Sequence, residues 1–330
     1  MAERIFGLHA SVSALDSERD QNVRLDAADG GSFVLKISNC ADDLGSLEMQ
    51  IEAMLHIARR DPGLPVMQPL ATLEGAYHAE TAGRDGRRHF VRAFTLLPGG
   101  TVASSALVSA SLRHFGSVVA RMGVALRDFR HAAAGYRILW DLKHTPGLRR
   151  LVDTISDKAR RDLVEGVLDR FDARVGPTLP ALRAQVIHND LTLDNVLLDD
   201  AHRISGIVDF GDLTHTPAIC DLAIALVSLM WDRPDPLEAA GAAIPGYTSI
   251  IPLENVEAVV LGDLVSARLA AFVLIAHERV RHYPENAAYI MGHVDLAWDL
   301  LEHLHARGWT EVREVIEAAC SQGPASSSRW

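Results

Sequence analysis

The sequence predicts an α+β chain in two lobes, a small β-rich one with a single helix and then a larger, mainly helical one. Three observations predict it. Residues 5 to 38 alternate short apolar runs with polar turns, the two-residue period of strands. One amphipathic segment, "LGSLEMQIEAMLHIARR", follows. Beyond Pro98, Gly99 and Gly100, the strongest linker signal in the first half, helical spacing dominates.

In "SFVLKIS", Phe33, Leu35 and Ile37 share one face and Val34 and Lys36 the other, so this run is the third strand of a hairpin sheet. In the amphipathic segment Leu47, Ile51, Met54, Leu55 and Ala58 recur at helical spacing, and Arg59 and Arg60 stand at the end where the helix dipole favours positive charge. "PVMQPLATLEG" and "RRHFVRAFTLLPGG" predict two more strands. Helices are expected over residues 105 to 133, 150 to 173, 218 to 231, 253 to 282 and 286 to 306. Between 184 and 209, "AQVIH", "NVLLD" and "ISGIVDF" read as short strands separated by polar loops. The expected division is residues 1–97, 98–320 and a flexible tail, 321–330, with the composition of a frayed end.

A net charge of −11 with no basic stripe argues against a nucleic-acid partner and suits a cationic small molecule better. Cys40, Cys220 and Cys320 lie far apart without a CxxC, which fits a reducing compartment and offers neither a disulfide framework nor a zinc site. The apolar runs "LAIALVSLMW" and "LAAFVLIA" are too short to span a bilayer. The expectation is a cytoplasmic chain with no membrane partner. Of the 32 basic residues only Lys36, Lys143 and Lys158 are lysines.

The chemistry concentrates in "VIHNDLTLDNVLLDDAHRISGIVDF", residues 186–210. Asp190 and Asn195 lie five residues apart on a loop between strands, and Asp209 ends a strand fourteen residues later. Phosphoryl transfer needs such a set: a carboxylate to take the proton of an attacking hydroxyl, and hard oxygen ligands that hold Mg²⁺ against nucleotide phosphates. On this reading Asp190 is the base and Asn195 and Asp209 are metal ligands.

"HNDLTLDN" followed by "IVDFGD" resembles the catalytic and metal-binding segments of the aminoglycoside phosphotransferase and choline kinase-like superfamily. The resemblance implies a protein kinase-like two-lobed fold, with ATP or GTP as phosphate donor and Mg²⁺ as cofactor. His188, Asp190 and Asn195 fall on the family's H-x-D-x-x-x-x-N pattern and Asp209 on its metal-binding aspartate. Asn189 stands where glycine is commonest. His188 is read either as a scaffold for the loop or as a group closer to the chemistry.

The same resemblance calls for a lysine on the third strand to hold the α- and β-phosphates, and Lys36 occupies that place. Its helix partner is Glu48 or Glu52, one turn apart, with Glu48 preferred. Ser17, Arg19 and Asn22, in "DSERDQN", are candidate phosphate neighbours, although a plain hairpin turn accounts for them equally well. The backbone from Arg92 through Phe94 to Leu96 is the expected hinge for the nucleotide base.

Farther along, "DFGDLTHTPAICDLAIALVSLMW" and "LVSARLAAFVLIA" are similar to the hydroxylysine kinase branch of that superfamily. An acceptor of that branch carries an ammonium and a carboxylate beside its hydroxyl, so a cationic or zwitterionic small molecule is implied. Asp212 and Asp194 are candidates for the ammonium, with helix capping an alternative for Asp212. Arg268 is a candidate for the carboxylate, with a buried ion pair as the alternative. Asp221 is read as holding the loop to the helical lobe. Other acceptors left open are an aminoglycoside or other antibiotic, homoserine and choline. A nucleotide-binding scaffold without catalysis is a further alternative, opposed by the intact set Lys36, Asp190, Asn195 and Asp209.

Overall fold

A computed structural model describes residues 1–15, 20–83 and 86–322. Helix α1 (Ala2–Phe6) precedes strands β1 (Ala10–Leu15), β2 (Gln21–Ala27) and β3 (Ser32–Ile37), then helix α2 (Leu44–Arg60) and strands β4 (Ala79–Ala82) and β5 (Arg88–Thr95). The strands form one antiparallel sheet in the order β1-β2-β3-β5-β4. Its two faces separate by strand alternation. Leu25, Leu35, Val91 and Ala93 pack on one side with Phe6 of α1, whereas Lys36 lies between Asn22 and Arg92 in register on the other.

Asp43 caps α2 by accepting from the Ser46 N–H at 3.1 Å. The buried stripe of α2 includes the expected Leu47, Ile51 and Met54 and adds Ile57, whereas the expected Leu55 and Ala58 are only half-buried.

The "PVMQPLATLEG" segment is not a strand. Pro65 and Pro69 cannot donate to a ladder, and the segment makes only single bridges, Val66 to Ile207 and Pro69 to Phe94. The missing fifth strand is β4, a short edge piece whose polar sequence, "AETA", carries little apolar signal.

The second lobe contains α3 (Ser109–Leu126), α4 (Lys158–Arg170), β6 (Ala184–Ile187), β7 (Val196–Leu198), β8 (Ile204–Ile207), β9 (Thr214–Pro217), α5 (Ile219–Met230), α6 (Pro236–Thr248), α7 (Asn255–His282), α8 (Ala287–Ile290), α9 (Val294–Arg307) and α10 (Trp309–Cys320). Two of these helices, α6 and α10, lie outside the sequence expectation. The first was hidden by Pro245, which the helix tolerates inside its last turn. Most of the expected tail, 323–330, lies outside the described residues.

Helices α3 and α6 cross at backbone contact. A Cβ on Gly116 would lie 2.0 Å from the Ala243 carbonyl oxygen, and one on Gly246 would lie 1.9 Å from that of Arg113. Only hydrogen fits at either position. Helix α7 is long and apolar enough to cross a membrane, but 83% of its apolar window is buried inside the fold, where it carries the buried Asp263 and Arg268.

The short pairs β6–β9 and β7–β8 flank the loop 188–195. The first lobe is stitched to them by the Ile207 N–H donating to the Pro65 carbonyl at 2.8 Å and by the reciprocal bonds between Gly100 and Leu198.

Candidate active site

The loop after β6 is held from beneath. Asp221, in the first turn of α5 and 2% exposed, accepts from the backbone N–H of His188 at 3.1 Å and of Asn189 at 2.7 Å, one on each carboxylate oxygen. Burial pushes its carboxyl up to about 7, while the two N–H bonds pull the other way. This is the anchoring expected of Asp221. Asn189 sits at φ 64, in the left-handed region. Glycine is at home there and asparagine is among the few side chains that tolerate it, which accounts physically for the exchange at this position.

His188 is fully buried, and its Nδ1 accepts from the Asp190 N–H at 3.3 Å. Its ring packs on Phe210 with centroids 4.7 Å apart. Burial lowers its pKa and keeps the imidazole neutral. These contacts place it between the loop after β6 and the "DFG" turn.

Asp190 faces the cleft with its side chain 27% exposed. Its Oδ2 accepts from Asn195 Nδ2 at 2.6 Å, and its backbone carbonyl accepts from the same nitrogen at 2.9 Å. Its Oδ1 accepts from Arg268 Nη2 at 2.8 Å. Desolvation pushes the Asp190 carboxyl up, and the Arg268 guanidinium opposes it. With Nδ2 committed to Asp190, the amide oxygen of Asn195 is the face left for a cation. Asp209, exposed at φ 58, accepts from the Gly211 N–H at 3.1 Å through one oxygen. Val208, just before it, donates to the Asn195 carbonyl at 3.0 Å, so the two oxygen-bearing residues are tied by backbone. Among the described residues no cluster of three or more His, Cys, Asp or Glu could hold a metal ion. The Asn195 amide oxygen and the Asp209 carboxylate are hard oxygen donors of the kind that would hold Mg²⁺, which would supply charge neutralisation for phosphates.

In the first lobe Lys36 is half-buried and has no carboxylate within ion-pair distance among the described residues. On α2, Glu52 is exposed and lies 3.9 Å from His131, and Glu48 is half-buried. The link between sheet and helix that does form is a different one: Arg92, 2% exposed, donates to Gln50 Oε1 at 2.8 Å and to Ser38 Oγ at 3.2 Å.

In the expected base-reading stretch most of the backbone is already paired. β5 is an inner strand. Lys36 and Val34 pair with Arg92 and Phe94 on one side, while the Thr95 N–H and the Ala93 carbonyl bond Gln68 and Leu70 on the other. The Leu96 N–H donates to the Ser32 carbonyl. The Phe94 ring is 1% exposed in the core. The first backbone N–H past the strand without such a partner among the described residues is that of Leu97.

Asn22 lies opposite Lys36, with its Oδ1 buried and without a hydrogen-bond partner among the described residues. Ser17 and Arg19 lie outside the described residues. Asp194 is 59% exposed and lies 3.5 Å from His293 Nδ1. Asp212 is half-buried after the "DFG" turn.

Sequence reasoning missed the aromatic wall beside Asp190. Trp140 lies under the Arg268 guanidinium at 4.8 Å and touches Phe272 at 5.9 Å between centroids. Phe272 in turn meets Trp231 at 5.6 Å, and Trp231 meets His293 at 5.3 Å. These residues come from four separate segments, so no local spacing announces them.

The chain matches the model of the phosphotransferase enzyme family over residues 11–253. It is 30% identical to hydroxylysine kinase from Danio rerio, across 94% of this chain and 92% of that one. Among solved structures it superposes on a microcompartment-associated aminopropanol kinase with a TM-score of 0.71 at 19% identity, covering 92% of this chain and 95% of that one. On amicoumacin kinase hAmiN in complex with AMP-PNP, Ca²⁺ and Ami the TM-score is 0.68 at 16% identity, with 89% and 90% covered. Both likenesses are of the protein kinase-like fold. With a family match over most of its length and 30% identity to a kinase across nearly the whole of both chains, the chain belongs to the phosphotransferase enzyme family and is a small-molecule kinase acting on a hydroxyl.

Proposed function

We propose that this kinase transfers the γ-phosphate of ATP to the hydroxyl of a zwitterionic hydroxylated amino acid such as 5-hydroxylysine, in the cytoplasm. The observation that carries the reading is the 2.6 Å hydrogen bond from Asn195 Nδ2 to Asp190 Oδ2. It orients the base carboxylate and the metal-facing amide oxygen from a single loop. The 30% identity to a hydroxylysine kinase supports the acceptor class.

In this reading Asp190 receives the acceptor proton as the hydroxyl oxygen attacks the γ-phosphorus. The bond from that phosphorus to the β-γ bridging oxygen breaks, and ADP leaves with the electron pair. Mg²⁺ held by Asn195 and Asp209 would neutralise charge on the β- and γ-phosphates. Lys36, steadied by Glu48 once nucleotide is bound, orients the α- and β-phosphates, and the Leu97 N–H is placed to meet the base. His188 and Asp221 hold the loop at its working height.

The test is transfer of labelled γ-phosphate from ATP, and separately GTP, to 5-hydroxylysine and a panel of hydroxylated amines, beside Asp190→Asn. Transfer to 5-hydroxylysine that falls by roughly 10²- to 10⁴-fold in the variant, with nucleotide affinity retained, is expected. Transfer to a different panel member alone would move the acceptor, and turnover undiminished in Asp190→Asn would remove the base.

A further inference from the structure

Arg268 is buried at 5% exposure, yet its guanidinium is only half used. Nη2 donates to Asp190 at 2.8 Å, and Nη1 is buried without a hydrogen-bond partner among the described residues. A guanidinium carries five donors in a rigid fork matched to carboxylates, and an orphaned buried donor is unfavourable. The guanidinium of Arg268 is also backed by an aromatic ring, its Cζ 4.8 Å from the Trp140 centroid.

The surroundings continue the pattern. From Trp140 the aromatic wall runs through the partly exposed Phe272 to Trp231 and His293, and it ends at the exposed carboxylate of Asp194, in the same loop as Asp190. A cation thus stands at one end of an aromatic rail and an anion at the other, with the base Asp190 alongside. That is the complement of a molecule with a carboxylate at one end, methylenes in the middle and an ammonium at the other.

We propose that Arg268, on its Trp140 shelf, is the specificity-determining anchor for the acceptor's carboxylate, so that this kinase selects hydroxylated amino acids over the corresponding amino alcohols. The proposal rests on the acceptor class proposed above and adds which residue enforces it. The incoming carboxylate satisfies Nη1, one hydrogen bond beyond the guanidinium, while Nη2 stays on Asp190. Carboxylate recognition and base orientation then share one side chain.

The experiment compares 5-hydroxylysine with 1,5-diaminopentan-2-ol, the same molecule without its carboxylate, in the wild type, Arg268→Gln, Arg268→Lys and Trp140→Leu. Nucleotide affinity and thermal midpoint are recorded for each. In the wild type kcat/KM favours 5-hydroxylysine. Arg268→Gln lowers kcat on both acceptors through Asp190 and, beyond that shared loss, raises KM for 5-hydroxylysine by roughly 10- to 100-fold more than KM for the diaminopentanol, collapsing the preference. Arg268→Lys, which keeps the charge and loses the fork, falls between, and Trp140→Leu weakens the preference without touching Asp190. If Arg268→Gln lowers kcat on both acceptors alike and keeps their ratio, Arg268 acts on the base alone and the proposal is overturned. A wild type that prefers the diaminopentanol also overturns it and leaves the kinase assignment standing. A wild type that phosphorylates neither, and to which L-lysine does not bind beside Mg-ADP, removes the acceptor class and this inference together.

Discussion

Removing Asp221 should loosen the catalytic loop by an amount that can be worked out bond by bond. Its two carboxylate oxygens take the N–H groups of His188 and Asn189 at 3.1 and 2.7 Å in a fully buried setting. Asp221→Ala leaves both donors without a partner, each worth about 1–3 kcal/mol, so a loss of about 2–6 kcal/mol is expected at pH 6. Asp221→Asn keeps one acceptor and should lose about half as much. The folded carboxyl holds its proton up to about pH 7, while the unfolded one releases it near 3.8. The stability this group contributes is therefore complete below the lower value and lost as pH climbs through the upper one. The wild-type advantage over Asp221→Asn should shrink by up to about 1.4 kcal/mol per pH unit between pH 5 and 7. Urea unfolding at pH 5, 6, 7 and 8 measures both quantities. A deficit under 1 kcal/mol for Asp221→Ala at pH 6, or a gap that widens with pH, would refute the reasoning.

Asp209→Ala should weaken Mg-nucleotide binding itself by about tenfold or more, seen as a rightward shift in ADP titrations at limiting Mg²⁺. Gly246→Ala should cost about 1–3 kcal/mol or more, because its Cβ would meet the Arg113 carbonyl at 1.9 Å and α3 and α6 would have to part. Chemical denaturation measures it, and activity per folded molecule should be retained. Gln50→Leu should strip Arg92 of its 2.8 Å partner in the interior and destabilise the first lobe by about 1–3 kcal/mol, read as a lower thermal midpoint that saturating Mg-ATP partly restores.

The parts of this molecule legible in the sequence are those governed by local period or short spacing. The strand alternation in "SFVLKIS", the stripe of α2 and the Asp190–Asn195 interval all translate directly into position. What escaped is set by partners distant in the chain. Arg268 meets Asp190 across 78 residues, and Arg92 meets Gln50 across 42. Nothing near Arg92 distinguishes a buried fastener from a hinge residue. Strand β5 was correctly located, but its inner place in the sheet, which engages the backbone expected to read the base, depends on pairing with β3 and with residues 68–70. The fifth strand was misplaced because apolar content drew attention to a proline-broken segment, whereas the true edge strand is polar.

Arg92 also bears on how the enzyme meets its nucleotide. Because it fastens α2 to the sheet through a neutral glutamine, the lobe stays assembled without drawing on the charge of Lys36. In the proposed reading that ammonium, the sole lysine of the first 142 residues, can turn to an arriving polyanion with no ion pair to break first among the described residues. Capture of nucleotide then depends on long-range attraction across open water, which dissolved salt screens over about 8 Å at physiological ionic strength. The rate of nucleotide association, more than its rate of escape, becomes the quantity that ionic strength controls.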